Sequence, residues 1–406
     1  MRIAQLDVIF RAAVKSVDPA PLVARALTDL GLDPGGQPVT VLALGKAARG
    51  MVWGAHRVFG EAITGVAALH EPGSLPQGIR GVVGGHPIPD HRSVRAGESL
   101  LAAAAAVPAD SLVVCLVSGG GSALAEVPAP GLDIADLAAV NRLLLESGAA
   151  ISEVNVVRRS MSQIKGGRLG AKMAASRLVT LAISDVGSAP PATIASGPTL
   201  AFGEVGQSPQ EVLDGYGLLD RVPPGVARTG VATAATRVAD QVFEVIADGS
   251  TAADAAATAA ESVGLTASVV ARELRGEARD EARRLLTAAR HQRDDVAIHI
   301  GETTVTVVGD GHGGRNHEAA LSAAIALDGH DGALLAGGTD GVDGATAGAG
   351  AIVDGTTAGI GRRLGRDPSQ HLATNDSGGF FDVVPGRIVT GPTGTNVADI
   401  WLTTRR

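Results

Sequence analysis

The sequence predicts an α/β protein made of two three-layer α/β/α domains. Short apolar runs, of the kind that form buried strands, alternate with longer helical stretches in both halves of the chain. The chain has 406 residues, too many for one typical domain, and 45% of them are apolar, which is enough to fill two cores.

The predicted elements follow the chain in order. In the first half, helices are expected at residues 5–17, 22–30, 47–59, 93–107 and 132–147, and strands at 39–44, 65–69, 82–84, 111–117 and 178–183. An Asp-Pro-Gly-Gly sequence predicts a turn at 33–36. In the second half, helices are expected at 252–262, at 277–289 and from the loop 309–316 as far as 327, and strands at 266–271, 296–300, 303–308 and 331–337.

The prolines and small residues of segment 200–250 predict the boundary between the domains. We place it after residue 230, within a wider window of 200–290, which gives domains of residues 1–230 and 231–406.

Composition narrows the set of partners. The chain carries 42 acidic residues against 34 Lys and Arg, a formal charge of -8, and only 2% aromatic residues, so nucleic acid is not expected to be a partner.

Cys115 is the one cysteine, so no internal disulfide is expected and a reducing cytoplasm fits. The N-terminus lacks an apolar signal segment, and no apolar run approaches the roughly 20 residues that cross a bilayer, so no membrane partner is expected. The sequence leaves open whether the chain forms a homodimer.

Glycine-rich loops follow predicted strands in both halves. Ligands of open α/β sheets bind at the carboxyl ends of strands. Two such ends facing each other would form an active-site cleft between the domains, a favoured place for a small-molecule substrate.

The first glycine-rich loop is Ser118-Gly119-Gly120-Gly121-Ser122. Three residues without Cβ atoms let backbone N–H groups converge, and a following helix would add its positive end, so the loop suits phosphate or carboxylate. A tight strand-to-helix turn is an equally good interpretation.

The second loop contains Gly309, Gly311 and Gly314 in a G-x-G-x-x-G spacing, and Asp340 ends the next predicted strand. This is the pattern of a dinucleotide site, although it is a weak signal alone. Arg315 directly after the glycines favours a transferring phosphoryl group over a neutral nicotinamide.

Lys46 ends the first predicted strand. Thr40 and Ala47 occupy the positions where a Walker A loop has Gly and Ser or Thr, so this is not a P-loop. A lysine at the end of a strand can still neutralise phosphate oxygens, although a solvated surface lysine is about as common.

Other polar residues are weaker candidates. Asn155, Arg158, Lys165 and Arg168 supply donors and positive charge, although an exposed basic helix is the more ordinary interpretation. Asp185 and Asp340 put carboxylates at predicted strand ends, where they could hold Mg²⁺ or accept a hydroxyl proton, or only cap a turn. His86 is more typical of a loop or core histidine than of a functional one.

Nine segments in order resemble the glycerate 2-kinase family, which joins an N-terminal glycerate kinase domain to a C-terminal MOFRL domain. The matching segments are Gly45-Lys-Ala-Ala-Arg-Gly-Met51, Gly85-His-Pro-Ile-Pro-Asp90, Ser118-Gly-Gly-Gly-Ser-Ala-Leu124, Asn155-Val-Val-Arg158 with Ile164-Lys-Gly-Gly-Arg-Leu169, Ile194-Ala-Ser-Gly-Pro-Thr199, Gly301-Glu-Thr-Thr-Val-Thr-Val307, Gly313-Gly-Arg-Asn316, Gly338-Thr-Asp-Gly341 and Thr390-Gly-Pro-Thr-Gly-Thr-Asn396. Together they span nearly the whole chain.

The resemblance implies transfer of the γ-phosphoryl group of ATP, with Mg²⁺, to the 2-hydroxyl of D-glycerate or a similar hydroxy acid. It assigns catalysis to Lys46 and Arg315, which match the positions that family members are thought to use. In such a kinase, Asp185 or Asp340 would hold the metal or orient the hydroxyl. The expected nucleotide and phosphate ligands are Ser118, Gly119, Gly120, Gly121, Ser122, Lys165, Gly313 and Gly314, and the expected substrate ligands are Asn155, Arg158 and Arg168.

The chain departs from the family pattern in three places. No acid occurs in segment 186–192, His299 stands where a small residue is expected, and segment 375–380 lacks a tyrosine often found after the serine. These changes bear on the substrate more than on the fold. Two other functions stay open: an NAD(P)H-dependent hydroxypyruvate reductase and a non-catalytic sensor of sugar acids.

Overall fold

The computed structural model describes all residues except 1, 33–35, 37, 176, 201–206, 229–237, 239, 405 and 406. Most of the predicted turn at 33–36 and the predicted boundary after residue 230 therefore lie outside the described residues.

The strands and helices extend the predicted alternation over the whole described chain. The strands are β1 (Val39–Leu44), β2 (Ile63–Leu69), β3 (Ile79–Val83), β4 (Leu112–Ser118), β5 (Arg177–Ile183), β6 (Asp240–Ala247), β7 (Ala267–Leu274), β8 (Val296–Gly301), β9 (Ala333–Gly338), β10 (Gly350–Asp354), β11 (Arg387–Ile388) and β12 (Asp399–Thr404). The helices are α1 (Arg2–Ser16), α2 (Pro19–Asp29), α3 (Ala48–Phe59), α4 (His91–Ala105), α5 (Gly121–Leu124), α6 (Ile134–Glu146), α7 (Ile151–Ser160), α8 (Arg168–Ala171), α9 (Pro209–Gly215), α10 (Pro224–Arg228), α11 (Gly249–Ser262), α12 (Ala278–Ala288), α13 (Arg315–Leu327), α14 (Thr357–Arg363), α15 (Pro368–Ala373) and α16 (Ser377–Phe381).

The chain divides into two compact units. The N-terminal unit comprises Pro19–Ser184 and Ala189–Ile246, and the C-terminal unit comprises Met1–Asp18, Asp185–Ser188 and Ala247–Arg406. Whether the functional domains separate after residue 230 stays a prediction.

The N-terminal unit contains a six-stranded sheet in the order β3-β2-β1-β4-β5-β6. The pairs from β3 to β5 are parallel. Helix α3 packs on β1, β2 and β4, and helix α4 packs on β1, β2 and β3. Because the chain leaves β1 in one direction and returns from β3 in the other, right-handed crossovers place these helices on opposite faces. The strand order therefore reverses between β1 and β4, where doubly wound folds bind their ligands.

The C-terminal unit contains a mixed sheet in the order β11-β10-β9-β12-β8-β7. Helices α12 and α13 pack together, with α13 on β9 and β10, while α1 and α11 pack together on the same sheet. Helix α1 is tied to this unit, since Gln5 Nε2 donates to the carbonyl of Val263 at 3.2 Å. A Cβ at Gly337 would come within 2.7 Å of the ring of Phe10, so the absent side chain there makes room for the helix. The predicted α/β fold class with two sheets is confirmed.

The predicted strand at 303–308 is wrong. The described backbone there makes only an isolated bridge at Thr304. The N–H of Thr304 donates to Gly276 O at 2.8 Å, and the N–H of Thr306 donates to the carboxylate of Glu277 at 3.1 Å. Partners just before α12 thus take the donors that a sheet ladder would need.

Among the described helices, none combines the length and the apolar character that crossing a lipid bilayer requires.

Candidate active site

Lys46 and the triple-glycine loop lie side by side in the N-terminal unit. Strands β1 and β4 are parallel neighbours, so the segments that follow them leave the sheet at the same edge. The N–H of Lys46 donates to the carbonyl of Gly119 at 2.9 Å. The fold therefore brings Lys46 and the triple-glycine loop, both predicted to be functional, together at the point where the strand order reverses.

Gly45 and Ser118 fix how closely these two segments approach. Gly45 has φ +120°, and a Cβ there would collide with the side chain and carbonyl of Ser118. Ser118 is buried, and its Oγ accepts a hydrogen bond from Ala47 N at 3.0 Å. The Ser118 hydroxyl therefore ties the two loops together.

The glycine loop presents a row of unused donors. In the described part of the chain, the backbone N–H groups of Gly119, Gly120, Gly121 and Ser122 have no acceptor. Gly120 is in the left-handed region, with φ +80°, so successive N–H groups can turn toward one point. The helix that follows, α5, has only four residues, so the positive helix end expected here is a single turn. The donor set nevertheless suits an anionic oxygen.

Lys46 and His86 flank this loop. A Cβ at Gly120 would lie 3.3 Å from Cγ of Lys46 and 3.2 Å from Nε2 of His86. The His86 ring also makes an edge contact with His70, with ring centroids 5.1 Å apart. The sequence favoured a loop or core role for His86, whereas the structure puts its ring against the glycine loop. Its occurrence in the Gly85–Asp90 motif was the available signal.

A strained segment connects the glycine loop to the loop of Lys165. Ser196 Oγ lies 2.7 Å from Ser122 Oγ, and the carbonyl of Ser196 accepts from Gly166 N at 3.0 Å. Ala195 and Ser196 have φ +48° and +61°, a left-handed conformation that costs about 1–2 kcal/mol for each residue with a Cβ. Ser196 was not among the predicted site residues, although it lies in the Ser-Gly-Pro part of a family segment.

Lys165 is buried in an ion pair with Glu126. Its Nζ lies 2.5 Å from Glu126 Oε2, while Glu126 Oε1 accepts from Ser162 Oγ at 2.5 Å and from Val127 N at 3.0 Å. Burial lowers the pKa of Lys165, and the Glu126 carboxylate opposes that shift. The ammonium predicted to bind phosphate is thus directed at an internal carboxylate, that of Glu126, which was not among the predicted site residues.

The predicted substrate ligands divide into two kinds. Arg168 Nη1 donates to the carbonyls of Arg159, Ser162 and Lys165 at 2.5, 2.9 and 3.3 Å, so it holds its own loop. Asn155 and Arg158 are half-buried, and within the described residues their side chains make no hydrogen bond. Burial lowers the pKa of Arg158 despite the attraction of Glu126. Among Arg158, Lys165 and Arg168, Arg158 is therefore the one whose side-chain N–H groups have no acceptor within the described residues.

Asp185 follows β5 by two residues and is half-buried. Strand β5 is the parallel neighbour of β4, with Ser118 opposite Ile183. The chain therefore leaves β5 for Asp185 at the sheet edge where the glycine loop begins.

Arg315 is the first residue of α13 in the C-terminal unit. It forms a two-pronged pair with Asp399 on β12, from Nε to Oδ2 at 2.5 Å and from Nη2 to Oδ1 at 2.9 Å. Nη2 also donates to Glu302 Oε1 at 3.0 Å. Burial acts to lower the pKa of Arg315, but the bonds to Asp399 outweigh it and raise that pKa, so the guanidinium stays charged. Neither Asp399 nor Glu302 was among the predicted site residues.

Asp343 fixes the start of α13 beside Arg315. Its carboxylate accepts from the N–H of Asn316 at 3.1 Å, from the N–H of His317 at 2.8 Å and from His317 Nδ1 at 2.6 Å. Trp401 Nε1 donates to Asn316 Oδ1 at 2.7 Å, which locks the same turn against β12. An internal anion therefore already occupies part of the positive helix end.

The residues before Arg315 keep free donors. The backbone N–H groups of Gly313, Gly314 and Arg315 have no acceptor within the described ranges. The two predicted phosphate-binding glycines thus present N–H groups on the same turn as the guanidinium.

Asp340 lies close to the Arg315–Asp399 pair. A Cβ at Gly338 would lie 3.1 Å from Asp340 Oδ1 and 3.3 Å from Asp399 Oδ1, so the missing side chain leaves a space between two carboxylates. The part of the chain that the structure describes brings no three His, Cys, Asp or Glu side chains together as a metal site. Mg²⁺ nevertheless needs only one or two carboxylates when phosphate oxygens and water complete its shell.

The G-x-G-x-x-G segment does not form an open dinucleotide loop. The N–H groups of Val308 and Gly309 donate to Asn375 Oδ1, at 2.7 and 3.1 Å. Gly311 N donates to the carbonyl of Thr374 at 3.1 Å. These N–H groups are hydrogen-bonded to other parts of the protein, whereas the N–H groups of a dinucleotide fingerprint donate to the pyrophosphate.

Comparison with known proteins covers both halves of the chain. The family model described as "Domain of unknown function (DUF4147)" matches residues 5–229, and the model of the MOFRL family matches residues 295–399. A protein of Agrobacterium vitis named "Putative hydroxypyruvate reductase" is 39% identical over 377 residues, 89% of this chain and 97% of that protein.

The D-glycerate 2-kinase of Thermotoga maritima is 34% identical over 405 residues, which cover 97% of this chain and 95% of the relative. A crystal structure of a glycerate kinase from Thermotoga maritima matches with a TM-score of 0.88 at 33% identity, over 100% of this chain and 99% of that one. With this architecture and these relatives, the chain belongs to the glycerate 2-kinase family.

Proposed function

We propose that the protein transfers the γ-phosphoryl group of ATP to the 2-hydroxyl of D-glycerate, or of a closely related small hydroxy acid, and so forms 2-phosphoglycerate. The observation that carries this proposal is the row of N–H groups at Gly119–Ser122, beside Lys46, that find no acceptor among the described residues. Fixed donors and a nearby cation stabilise charge on phosphoryl oxygens without any reorganisation during the reaction. The Thermotoga relatives named as glycerate kinases support the substrate class.

Each predicted residue takes a role in this proposal that fits its contacts. Lys46 and Arg315 neutralise the migrating group, with Gly313 and Gly314 donating to nucleotide phosphates. Arg158 and Asn155 bind the acceptor's carboxylate, because their side-chain polar atoms make no hydrogen bond within the described chain. Lys165 and Arg168, whose described bonds stay within the protein, hold the loop that surrounds them.

Mg²⁺ fits the oxygen donors at Asp340, with Asp185 as the alternative. A Cβ at Gly338 would lie within 3.1 Å of Asp340 Oδ1 and 3.3 Å of Asp399 Oδ1, so two carboxylate oxygens face the same position. When bound, Mg²⁺ would neutralise charge on the phosphate oxygens. Mn²⁺ binding followed by electron paramagnetic resonance compares Asp340→Asn with Asp185→Asn. The variant that weakens Mn²⁺ binding in the presence of ATP identifies the ligand, and unchanged binding in both contradicts this assignment.

A pair of assays tests the function. With ATP, Mg²⁺ and D-glycerate, ³¹P NMR should show 2-phosphoglycerate, and other hydroxy acids define the acceptor range. With NADH and hydroxypyruvate, absorbance should stay constant. NADH oxidation without phosphorylated product would instead support the reductase, the function that the Agrobacterium relative's name suggests.

A second test asks whether Lys46 and Arg315 act on one phosphoryl group. Lys46→Ala and Arg315→Ala should each lower kcat by about 10³-fold or more, a size typical of cations at phosphoryl transfer. The double variant should lose much less than the product of the two effects, because residues that act as a unit are not additive. Lys172→Ala, at an exposed lysine of the same unit as Lys46, should keep kcat. Multiplicative losses would mean two independent sites.

A further inference from the structure

Segment 194–199 adopts a backbone that its residues disfavour. Ala195, Ser196 and Gly197 have φ +48°, +61° and +63°, so two residues with Cβ atoms stand in the left-handed region ahead of a glycine. Single residues of this kind are uncommon, and consecutive ones need strong support from their surroundings. Strain of this kind concentrates at functional sites.

The surrounding structure holds the segment on both sides. Gly166 N donates to Ser196 O at 3.0 Å, and Gly167 N donates to Gly197 O at 2.7 Å. A Cβ at Gly121 would lie 2.8 Å from Cβ of Ala195, so the segment rests directly on the glycine loop. The loop thus leaves little room for a relaxed path of the same chain.

The strained backbone places the hydroxyl of Ser196 against the hydroxyl of Ser122. Ser196 is 7% exposed, and its Oγ lies 2.7 Å from Oγ of the half-buried Ser122. When Ser196 donates its proton to Ser122 Oγ, the proton of Ser122 remains available for an acceptor outside the pair. A donated hydrogen bond also polarises the second hydroxyl and strengthens what it donates in turn.

We propose that Ser196 is a positioning residue that orients the Ser122 hydroxyl toward an anionic phosphate oxygen bound at Gly119–Ser122. This inference rests on the proposed phosphoryl transfer, and it adds a residue that acts through Ser122. Four consecutive backbone donors and one aligned hydroxyl then meet the same anion.

A double-mutant cycle tests this positioning role. Ser122→Ala should lower kcat about tenfold, the size expected for one hydrogen bond to a charged group, and Ser196→Ala should lower it about three- to tenfold. The KM for D-glycerate should change less than twofold in both. Because Ser196 acts through Ser122, the double variant should be no slower than Ser122→Ala alone.

Thr180→Val is the matched control. Thr180 Oγ1 donates to Thr199 Oγ1 at 3.0 Å, so this variant also breaks a bond between two buried hydroxyls, one of them in segment 194–199, but it does not touch the Ser196–Ser122 bond. It should keep kcat, and thermal unfolding should show that every variant is folded.

A wild-type kcat in Ser196→Ala, or losses that multiply in the double variant, would overturn the inference while leaving the kinase intact. If wild type phosphorylates no hydroxy acid, the proposed function fails instead. In that case, calorimetric binding of a non-hydrolysable ATP analogue tests the inference separately from the reaction. The affinity should fall in Ser122→Ala and fall no further in the double variant. Independent losses of affinity in the two single variants would overturn the inference.

Discussion

Arg315 and Asp399 form parallel hydrogen bonds from Nε and Nη2 to the two oxygens of a buried carboxylate, at 2.5 and 2.9 Å. The two residues are 84 positions apart in the chain. A bidentate pair fixes the plane of the guanidinium as well as its position. The structure therefore holds Arg315 in one orientation before any ligand arrives.

Asp399→Asn should lower kcat at least tenfold, because the uncharged amide offers one acceptor where the carboxylate offers two. Glu302→Gln is the control, since Glu302 makes a single bond to Arg315 from a side chain that is 45% exposed, and it should change kcat less than threefold. Stability should change little by comparison, because the Arg315 side chain is 33% exposed and can reach water. Steady-state kinetics and thermal unfolding measure both, and equal kinetic losses in the two variants would contradict this account.

Arg158→Met should weaken substrate binding, whereas Arg168→Met should lower the stability of the protein. The Arg158 side chain makes no hydrogen bond within the described chain, so its replacement should raise the KM for D-glycerate about tenfold or more and leave the unfolding temperature unchanged. Arg168 holds three carbonyls, so its replacement should lower the unfolding temperature by several degrees, at about 2–4 °C for each kcal/mol lost. The prediction is wrong if Arg158→Met proves to be the destabilising variant.

The buried Glu126–Lys165 pair should show strong coupling in stability. Lys165→Met leaves an unpaired buried carboxylate and should lower the free energy of unfolding by about 3–5 kcal/mol. The double variant Glu126→Leu/Lys165→Met should recover most of that loss, because apolar residues of similar volume can replace a buried ion pair. Urea unfolding measures each variant, and a double variant less stable than Lys165→Met would show that the pair contributes more than charge balance.

His299 should make the protein less stable in acid. It is 3% exposed, and burial, aided by Arg284, lowers its pKa from 6.5 to about 4, with Glu281 opposing the shift. Between those values the unfolded chain binds the proton and the folded chain does not, so stability falls as pH drops from 6.5 to 4, by about 1.4 kcal/mol per pH unit.

Removing the buried imidazole isolates this contribution. His299→Leu should flatten the pH dependence of the free energy of unfolding between pH 7 and pH 4.5 by about 2–3 kcal/mol relative to wild type. His330→Leu, at an exposed histidine, should keep the wild-type slope. Urea unfolding at several pH values provides the comparison, and an unchanged slope in His299→Leu would mean that other groups carry the acid sensitivity.

Local patterns in the sequence were sufficient to predict the α/β class and to select the glycine loop and Lys46, which the structure places side by side. The apolar run at Val39–Leu44 matches β1 residue for residue, because a strand buried on both faces needs continuous apolar side chains. The glycines after β4 and the Lys46 after β1 were recognisable because their chemistry depends on residues next to one another.

Contacts between residues that are far apart in the chain could not be predicted from the sequence. In sequence, Lys165 and Arg168 resemble ligand-binding cations, yet Glu126, 39 positions away, and nearby carbonyls take their donors. The contacts of Ser196 and Asp399 are of the same kind, since each meets its partner, 74 or 84 positions away, only in the folded chain. Hydrogen bonds and buried charges act over a few ångströms of space, and the path of the folded chain determines which residues come that close.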